Sequence, residues 1–373
     1  MNSTGNLTRG TRFLLTMACF VIVVAGMKAA GSILIPFLLA IFIAIICTPP
    51  LYWLQKIGLP KGAAILVIII AILAIGVALT GVVGASVNDF SENLPTYRER
   101  LVGKTEELTE WLEEKGVEVS DKAVLEKFDP GVAMSMVGRM LTSLTGVLSN
   151  AFLILLTVIF MLMEAAGLPN KLRKALDNPE ESLSGLGQFT RSVNRYLVLK
   201  TAFSIMTGIA VFIWLSILGV DYAVVWGILA FILNYVPNIG SIIAAIPAVL
   251  LALVQLSVGS AVLTAAGYLA VNTVFGSILE PRIMGRDLGL STLVVFLSLV
   301  FWGWVLGPVG MLLSVPLTMI LRIALESSED TRGLAILLGP DPGEDGAPQE
   351  PAGSDKKDEL QSKKKEDKSQ FTG

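Results

Sequence analysis

Long stretches without a single charged residue constrain the fold more than any other feature of this sequence. The run Ala63–Val87 is rich in Ile, Val and Ala and contains no Asp, Glu, Lys or Arg. A helix that crosses the hydrocarbon core of a bilayer needs about 20 apolar residues, so this run is long enough to span a membrane. Only 16% of the 373 residues are charged, against roughly 25% in soluble domains. We therefore expect an integral membrane protein surrounded by a lipid bilayer.

Several other apolar runs make the protein polytopic. Backbone polar groups in the hydrocarbon core must be hydrogen-bonded within the protein, which favours helices for runs of this length. We predict an all-α, polytopic transmembrane helical protein with about eight spans or hairpin equivalents. The further runs are Phe13–Met27, Gly31–Tyr52, Thr145–Met163, Thr201–Gly219, Tyr222–Leu256, Ser260–Leu279 and Leu290–Leu325.

Composition divides the chain into four regions. We expect residues 1–87 to form the N-terminal transmembrane helices and residues 144–326 to form a transmembrane core. Between them, residues 88–143 form an acidic, helical, extracytoplasmic insertion, in which Asn88–Arg139 holds twelve acidic residues against seven basic ones. Residues 327–373 are rich in Gly, Pro and charged residues, a composition that predicts a disordered cytoplasmic tail.

The insertion carries an apolar stripe at helical spacing, which includes Leu94, Tyr97 and Leu101. Such a stripe has to be buried against another surface. Three surfaces remain open at this point: the membrane domain, the membrane surface, and a neighbouring subunit of a homo-oligomer.

The distribution of basic residues predicts the orientation of the chain. Positive residues in short loops mark the cytoplasmic side. With the spans given above, Arg9, Lys56, the basic 171–200 segment and Arg282 fall on one side, whereas Asp221 and the acidic insertion fall on the other. We therefore expect a multi-pass protein with both termini in the cytoplasm and the acidic insertion outside.

Two of the apolar runs are broken by Gly and Pro. In 222–256 the break is Pro237-Asn238-Ile239-Gly240, and in 290–325 it is Gly307-Pro308-Val309-Gly310. Short broken pairs of this kind are typical of transporter binding sites, where irregular backbone lines a cavity or is buried in protein. By the count of spans, the first pair begins and ends outside the cell and the second begins and ends in the cytoplasm. This holds whether each pair spans the membrane or is re-entrant.

Three motifs in these segments resemble a known family. They are Asn234-Tyr-Val-Pro-Asn-Ile-Gly-Ser241, Leu279-Glu-Pro-Arg-Ile-Met-Gly285 and Gly307-Pro-Val-Gly-Met-Leu-Leu-Ser-Val-Pro316. Together with Pro36-Phe-Leu-Leu-Ala40, they make most of residues 10–326 similar to the autoinducer-2 exporter family of bacterial membrane proteins. The resemblance implies a transporter of a bacterial inner membrane that moves a small polar solute or signal out of the cell. Because the chain has no nucleotide-binding loop, we expect the energy to come from an ion gradient or from the solute's own gradient. Other members of the family resemble cation/proton antiporters, and a channel-like oligomeric scaffold is a further alternative.

Ionisable and polar residues inside the membrane are the candidate binding residues. Burying them in the membrane costs free energy, so their presence there usually indicates a functional role. Glu280 is a candidate carrier of a proton or monovalent cation, unless it pairs with Arg282 or Arg286 at the interface. Lys200 opens an apolar run and is expected to extend to the interface. Amides and hydroxyls of the first broken pair and the following span are candidates for solute binding, and four further residues shape the two tips. The full candidate set is Asn234, Pro237, Asn238, Gly240, Ser241, Asn272, Glu280, Pro308 and Gly310.

Other function classes are disfavoured by what the sequence lacks. It contains no histidine, which excludes Ser-His-Asp and Cys-His catalysis and His-ligated metal sites. Its two cysteines, Cys19 and Cys47, lie in apolar runs and have no metal-binding spacing. It also has no nucleotide-binding glycine-rich loop. We predict no enzymatic activity, no cofactor, no metal and no nucleic-acid partner.

Overall fold

The computed structural model describes residues 9–114, 134–140, 142, 151–165, 171, 179–237, 239–284, 290–326 and 331–339. Within these residues the chain is helical and contains no strand. The helices are α1 (Arg9–Ala29), α2 (Gly31–Lys56), α3 (Lys61–Glu114), α4 (Ala151–Ala165), α5 (Pro179–Leu218), α6 (Ala223–Leu233), α7 (Ile239–Gln255), α8 (Val258–Val271), a π-helix (Asn272–Leu279), α9 (Glu280–Met284), α10 (Thr292–Glu326) and α11 (Arg332–Leu337).

Five of the described helical segments are long and apolar enough to cross a membrane, which confirms the prediction of a polytopic all-α membrane protein. Their outward faces expose large apolar side chains such as Ile75, Val77 and Ile217, as expected of surfaces in contact with lipid. The five segments are Gly31–Lys56, Lys61–Lys104, Ser192–Leu218, Val258–Ile283 and Thr292–Glu326. Four shorter apolar helices accompany them: Leu14–Ala29, Leu153–Glu164, Ala223–Leu233 and Ile239–Gln255.

Helix α3 runs without a break from the apolar run into the acidic region. Its 54 residues correspond to a length of about 80 Å at 1.5 Å per residue. Phe90, Tyr97 and Leu101 are buried in one cluster with residues of α6 and α7, and the Tyr97 hydroxyl donates a hydrogen bond to Asp221 Oδ2 at 3.0 Å. This part of the apolar stripe therefore packs within the subunit. Much of 115–143 lies outside the described residues.

The first broken pair, α6 and α7, is a helical hairpin. Gln255, at the end of α7, accepts a hydrogen bond from the Asp221 backbone N–H at 2.9 Å and donates one to the Gly219 carbonyl at 3.2 Å. The chain thus enters and leaves the hairpin at the same end. Helix α6 has 11 residues, or about 16 Å, roughly half of the 30 Å hydrocarbon core.

The second broken pair also folds back on itself. Gly307 interrupts α10 with φ 67° and ψ −153°, a backbone conformation that favours glycine. The Trp302 indole donates a hydrogen bond to Thr318 Oγ1 at 3.0 Å, although 16 residues of straight helix would separate their positions by about 24 Å. The two arms are therefore antiparallel neighbours.

Candidate functional site

A buried ion pair lies between α5 and the start of α9. Lys200 Nζ donates a hydrogen bond to Glu280 Oε1 at 2.6 Å, and the two side chains are only 6% and 17% exposed. The pair of Glu164 and Lys171 differs, because its side chains are 56% and 68% exposed. A charge buried in the membrane is rare, and it is stabilised by a partner of opposite sign. The structure thus gives Glu280 a partner on another helix.

The tip of the first hairpin is hydrogen-bonded to α5 beside this pair. Asn234 Nδ2 donates to Ser204 Oγ at 3.0 Å in a buried contact. The Tyr235 hydroxyl donates to Thr201 Oγ1 at 2.8 Å. Because Thr201 is the residue after Lys200, a movement of the tip and a change at the ion pair act on the same turn of α5.

A second hydrogen bond joins the hairpin to the segment that carries Glu280. Ser241 Oγ, in the first turn of α7, donates to Asn272 Oδ1 at 2.9 Å. Asn272 opens the π-helix, which ends directly before Glu280. Segments of π-helix are rare and are frequent at functional sites. The structure therefore brings the candidates Asn234, Ser241, Asn272 and Glu280 around one hairpin tip.

Gly240 shapes the first tip. A Cβ at Gly240 would overlap the Leu233 carbonyl oxygen, so only glycine lets the arms cross this closely. Pro237 lies in the turn between the arms, where its carbonyl accepts a hydrogen bond from the Ile239 N–H at 2.6 Å. Asn238 lies outside the described residues.

Gly310 has the equivalent role at the second tip, since its Cβ would overlap the Trp302 carbonyl oxygen. Pro308 follows the positive-φ Gly307 and begins the second arm. This tip packs against α1 and α2 rather than beside Lys200: Trp302 and Leu306 share a buried cluster with Val24. Pro308 and Gly310 are therefore brought together with each other, but not with the polar residues of the first tip.

A family model described as "AI-2E family transporter" matches residues 17–330 of the chain. The chain belongs to the AI-2E transporter family. It is 45% identical over 329 residues to the "AI-2 transport protein TqsA" of Escherichia coli K12, which covers 88% of this chain and 96% of TqsA. It is 42% identical over 331 residues to YhhT of the same organism, covering 89% and 95% of the two chains. The family resemblance predicted from the motifs is confirmed, and the protein is a membrane transport protein rather than an enzyme.

Lys200, Thr201, Ser204 and Tyr235 were not among the candidates predicted for this AI-2E family member. Lys200 was expected to extend to the interface, but its α-helix begins 21 residues earlier, at Pro179, and the lysine is buried. Glu280 pairs with Lys200 and not with Arg282, which was one alternative; the other alternative, Arg286, lies outside the described residues. In the sequence, the only sign of this partner for Glu280 is that Lys200 directly precedes a run without charged residues.

A cavity of about 380 Å³ lies between α7 and α8 of this transporter. Ser241 and Asn272 supply polar groups to its wall, and the other lining residues include Ile242, Ala245 and Leu269. No charged side chain lines the cavity among the described residues. Likewise, the described part of the chain contains no group of three or more Cys, Asp or Glu side chains that could hold a metal ion.

Proposed function

We propose that this protein exports a small polar solute by alternating access and couples that export to a proton or monovalent-cation gradient at Glu280. The observation that carries the proposal is the buried Lys200–Glu280 pair, one residue from the Thr201–Tyr235 hydrogen bond of the hairpin tip. Its relative TqsA is described as an AI-2 transport protein. Autoinducer-2 is therefore the first solute to test.

The ion pair offers a physical means of coupling. When a proton or cation binds the Glu280 carboxylate, Lys200 loses its compensating charge while it is still buried. An uncompensated buried charge is strongly unfavourable. The transporter would then favour a second conformation in which Lys200 is solvated and the hairpin tip is displaced. A ligand that binds one of two conformations more tightly shifts the balance between them.

Solute binding is assigned to the uncharged polar groups at the first tip. Asn234, Ser241 and Asn272 offer amide and hydroxyl groups, which both donate and accept hydrogen bonds. The adjoining cavity is mostly apolar and has no charged group in its wall among the described residues. This chemistry suits a small, neutral, polar molecule better than an ion.

Cation/proton antiport is the second candidate, because the same ion pair could exchange one cation for another without an organic solute.

In either case we place the protein in a bacterial inner membrane with both termini in the cytoplasm, as the distribution of basic residues predicts. Association into a homo-oligomer is compatible with both functions.

A counterflow assay with the purified full chain in liposomes tests the proposal. Autoinducer-2, sodium and protons are compared as transported species. We expect saturable counterflow of autoinducer-2, and we expect Glu280→Gln and Asn234→Ala to lower gradient-driven flux at least tenfold. The matched controls are Glu164→Gln, from the exposed ion pair, and Asn93→Ala, an exposed asparagine that bonds its own helix.

The possible outcomes separate the candidates. Exchange of sodium for protons without autoinducer-2 counterflow would favour antiport. Non-saturable conductance would favour a channel. Normal gradient-driven flux in both Glu280→Gln and Asn234→Ala would exclude the proposed site, provided that both variants are as abundant as the wild type in the liposomes.

A further inference from the structure

A row of polar side chains runs along the inward face of α8 and its π-helical continuation. Thr264, Tyr268 and Asn272 are each four residues apart, a spacing that places successive helical side chains near one another, and Glu280 directly follows the π-helix that begins at Asn272. Thr264 and Tyr268 are buried, whereas Leu263 and Leu269 on the same helix are exposed. The first two residues of the row therefore point into the protein, and Tyr268 and Asn272 also line the cavity between α7 and α8. From Thr264 to Glu280 it covers about 24 Å of the roughly 30 Å hydrocarbon core.

Helix α5 covers this row in an antiparallel direction. At one end, Trp214 of α5 donates its indole N–H to the Leu263 carbonyl at 3.1 Å. At the other end, Lys200 of α5 pairs with Glu280. Between these two contacts α5 carries the buried Thr207, whereas the buried Ser204 bonds Asn234 of the hairpin tip. The seam between α5 and α8 is thus closed by a contact at each end.

Two hydroxyls in the row lack a hydrogen-bond partner. Thr264 Oγ1 and the Tyr268 hydroxyl are buried, and neither bonds to any of the described residues. Buried polar groups in folded proteins almost always have a partner, and ordered water is the usual one where no protein group is available. Two such hydroxyls one helical turn apart, on the helix that continues through Asn272 to Glu280, indicate a hydrated seam.

We propose that water fills this seam, hydrogen-bonded to the row Thr264–Tyr268–Asn272, and that this water and the two hydroxyls conduct protons between Glu280 and the end of the bundle closed by Trp214. Hydroxyl groups and water both donate and accept hydrogen bonds, as a chain of proton transfers requires. The seam is too narrow for an organic solute at its Trp214 end, because a Cβ on Gly267 would overlap the indole of Trp214. The groups that face Glu280 are Lys200 and Tyr196 of α5, and Tyr235 of the hairpin tip lies beside Tyr196.

This inference rests on the proposed coupling at Glu280, and it names the proton as the coupling ion.

The test uses the full chain in liposomes that contain a pH-sensitive dye. The measured quantity is the ratio of autoinducer-2 flux with a pH gradient to flux at equal pH. Thr264→Val and Tyr268→Phe remove one hydroxyl each and keep the shape of the side chain. We expect the ratio to fall toward one in both variants. The controls Thr80→Val and Tyr52→Phe remove exposed hydroxyls, and their ratios should stay within twofold of the wild type.

The outcomes distinguish the two proposals. A wild-type ratio of one overturns both proton coupling at Glu280 and the row. A wild-type ratio well above one that is retained in Thr264→Val and Tyr268→Phe overturns the row alone.

A second measurement needs no variant. Radiolytic hydroxyl-radical footprinting of the wild-type protein oxidises side chains that lie next to water. We expect Tyr268 to be oxidised several-fold faster than Trp226, which lies in the same buried cluster but already donates its indole N–H to the Asp221 carbonyl. Oxidation of Tyr268 as slow as that of Trp226 would show a dry seam and overturn the proposal.

Discussion

The charges of Lys200 and Glu280 stabilise each other because both are largely removed from solvent. Removing one partner of a buried pair typically destabilises a protein by 3–5 kcal/mol, since the other charge stays buried without compensation. We therefore predict that Glu280→Gln lowers the free energy of unfolding by about 3 kcal/mol. The measurement is thermal unfolding of the detergent-solubilised protein, with ligand absent.

The double variant separates stability from transport. With Lys200→Met added to Glu280→Gln, no charge remains buried, so most of the lost stability should return while gradient-driven flux stays low. Glu164→Gln, in the exposed pair with Lys171, should change stability by less than about 1 kcal/mol. If Glu280→Gln behaves like Glu164→Gln in unfolding, the pair contributes little and the coupling argument loses its physical basis.

Sequence reasoning identified one half of this pair. Glu280 is notable in sequence because it ends an apolar span next to a proline. Its partner lies 80 residues earlier, and which two charges meet across a bundle depends on helix packing that no local pattern encodes. The same limit applies to Ser204 and Thr201: they are ordinary residues of an apolar helix until Asn234 and Tyr235 are placed against them.

Helices α5 and α6 come together through a reciprocal pair of glycines. A Cβ on Gly208 would lie 2.8 Å from the Gly227 carbonyl oxygen, and a Cβ on Gly227 would lie 2.8 Å from that of Gly208. Small residues at such crossings let helix backbones approach closely in membranes. We predict that Gly208→Ala and Gly227→Ala each lower the free energy of unfolding by about 1–3 kcal/mol, a usual effect of overpacking, as measured by thermal unfolding.

The control for these substitutions is Gly81→Ala in α3, where a Cβ would meet nothing within 4 Å. The double variant Gly208→Ala/Gly227→Ala should destabilise by less than the sum of the single variants, because either methyl group already separates the helices. Strict additivity of the two effects would contradict a shared contact.

At the level of helices, Gly and Pro in the sequence predicted the two breaks, and the structure shows a hairpin at each. The reason is local: Gly307 adopts a positive φ, and Gly240 and Gly310 leave room for a carbonyl oxygen. The π-helix Asn272–Leu279 was not predicted. A π-helix has no distinctive composition, and the tertiary contact at its start, the hydrogen bond from Ser241 to Asn272, joins residues 31 positions apart.

Across the whole molecule, the two hairpins should open to opposite sides of the membrane. The first hairpin is entered and left near Asp221 and Gln255, which contact each other through hydrogen bonds. The second hairpin begins near Ser291 and is followed by α11. The Ser291 N–H donates a hydrogen bond to the carbonyl of Leu338, directly after α11, so this hairpin is also entered and left at one end. Helix α8 and its continuation pass between these two ends in the sequence and are long enough to cross the bilayer. One crossing between the hairpins places their bases on opposite faces.

Thiol labelling from each side of the membrane tests this arrangement. In a background with Cys19 and Cys47 replaced by serine, Val258→Cys lies at the base of the first hairpin and Leu334→Cys lies beyond the second; both positions are exposed. With cytoplasmic termini, a membrane-impermeant maleimide should label Val258→Cys in intact spheroplasts and label Leu334→Cys only after permeabilisation. The physical reason is that the basic segments near Arg9 and Lys56 stay on the cytoplasmic side. Labelling of both cysteines from the same side would require an even number of crossings between them, and would refute the opposed hairpins on which alternating access depends.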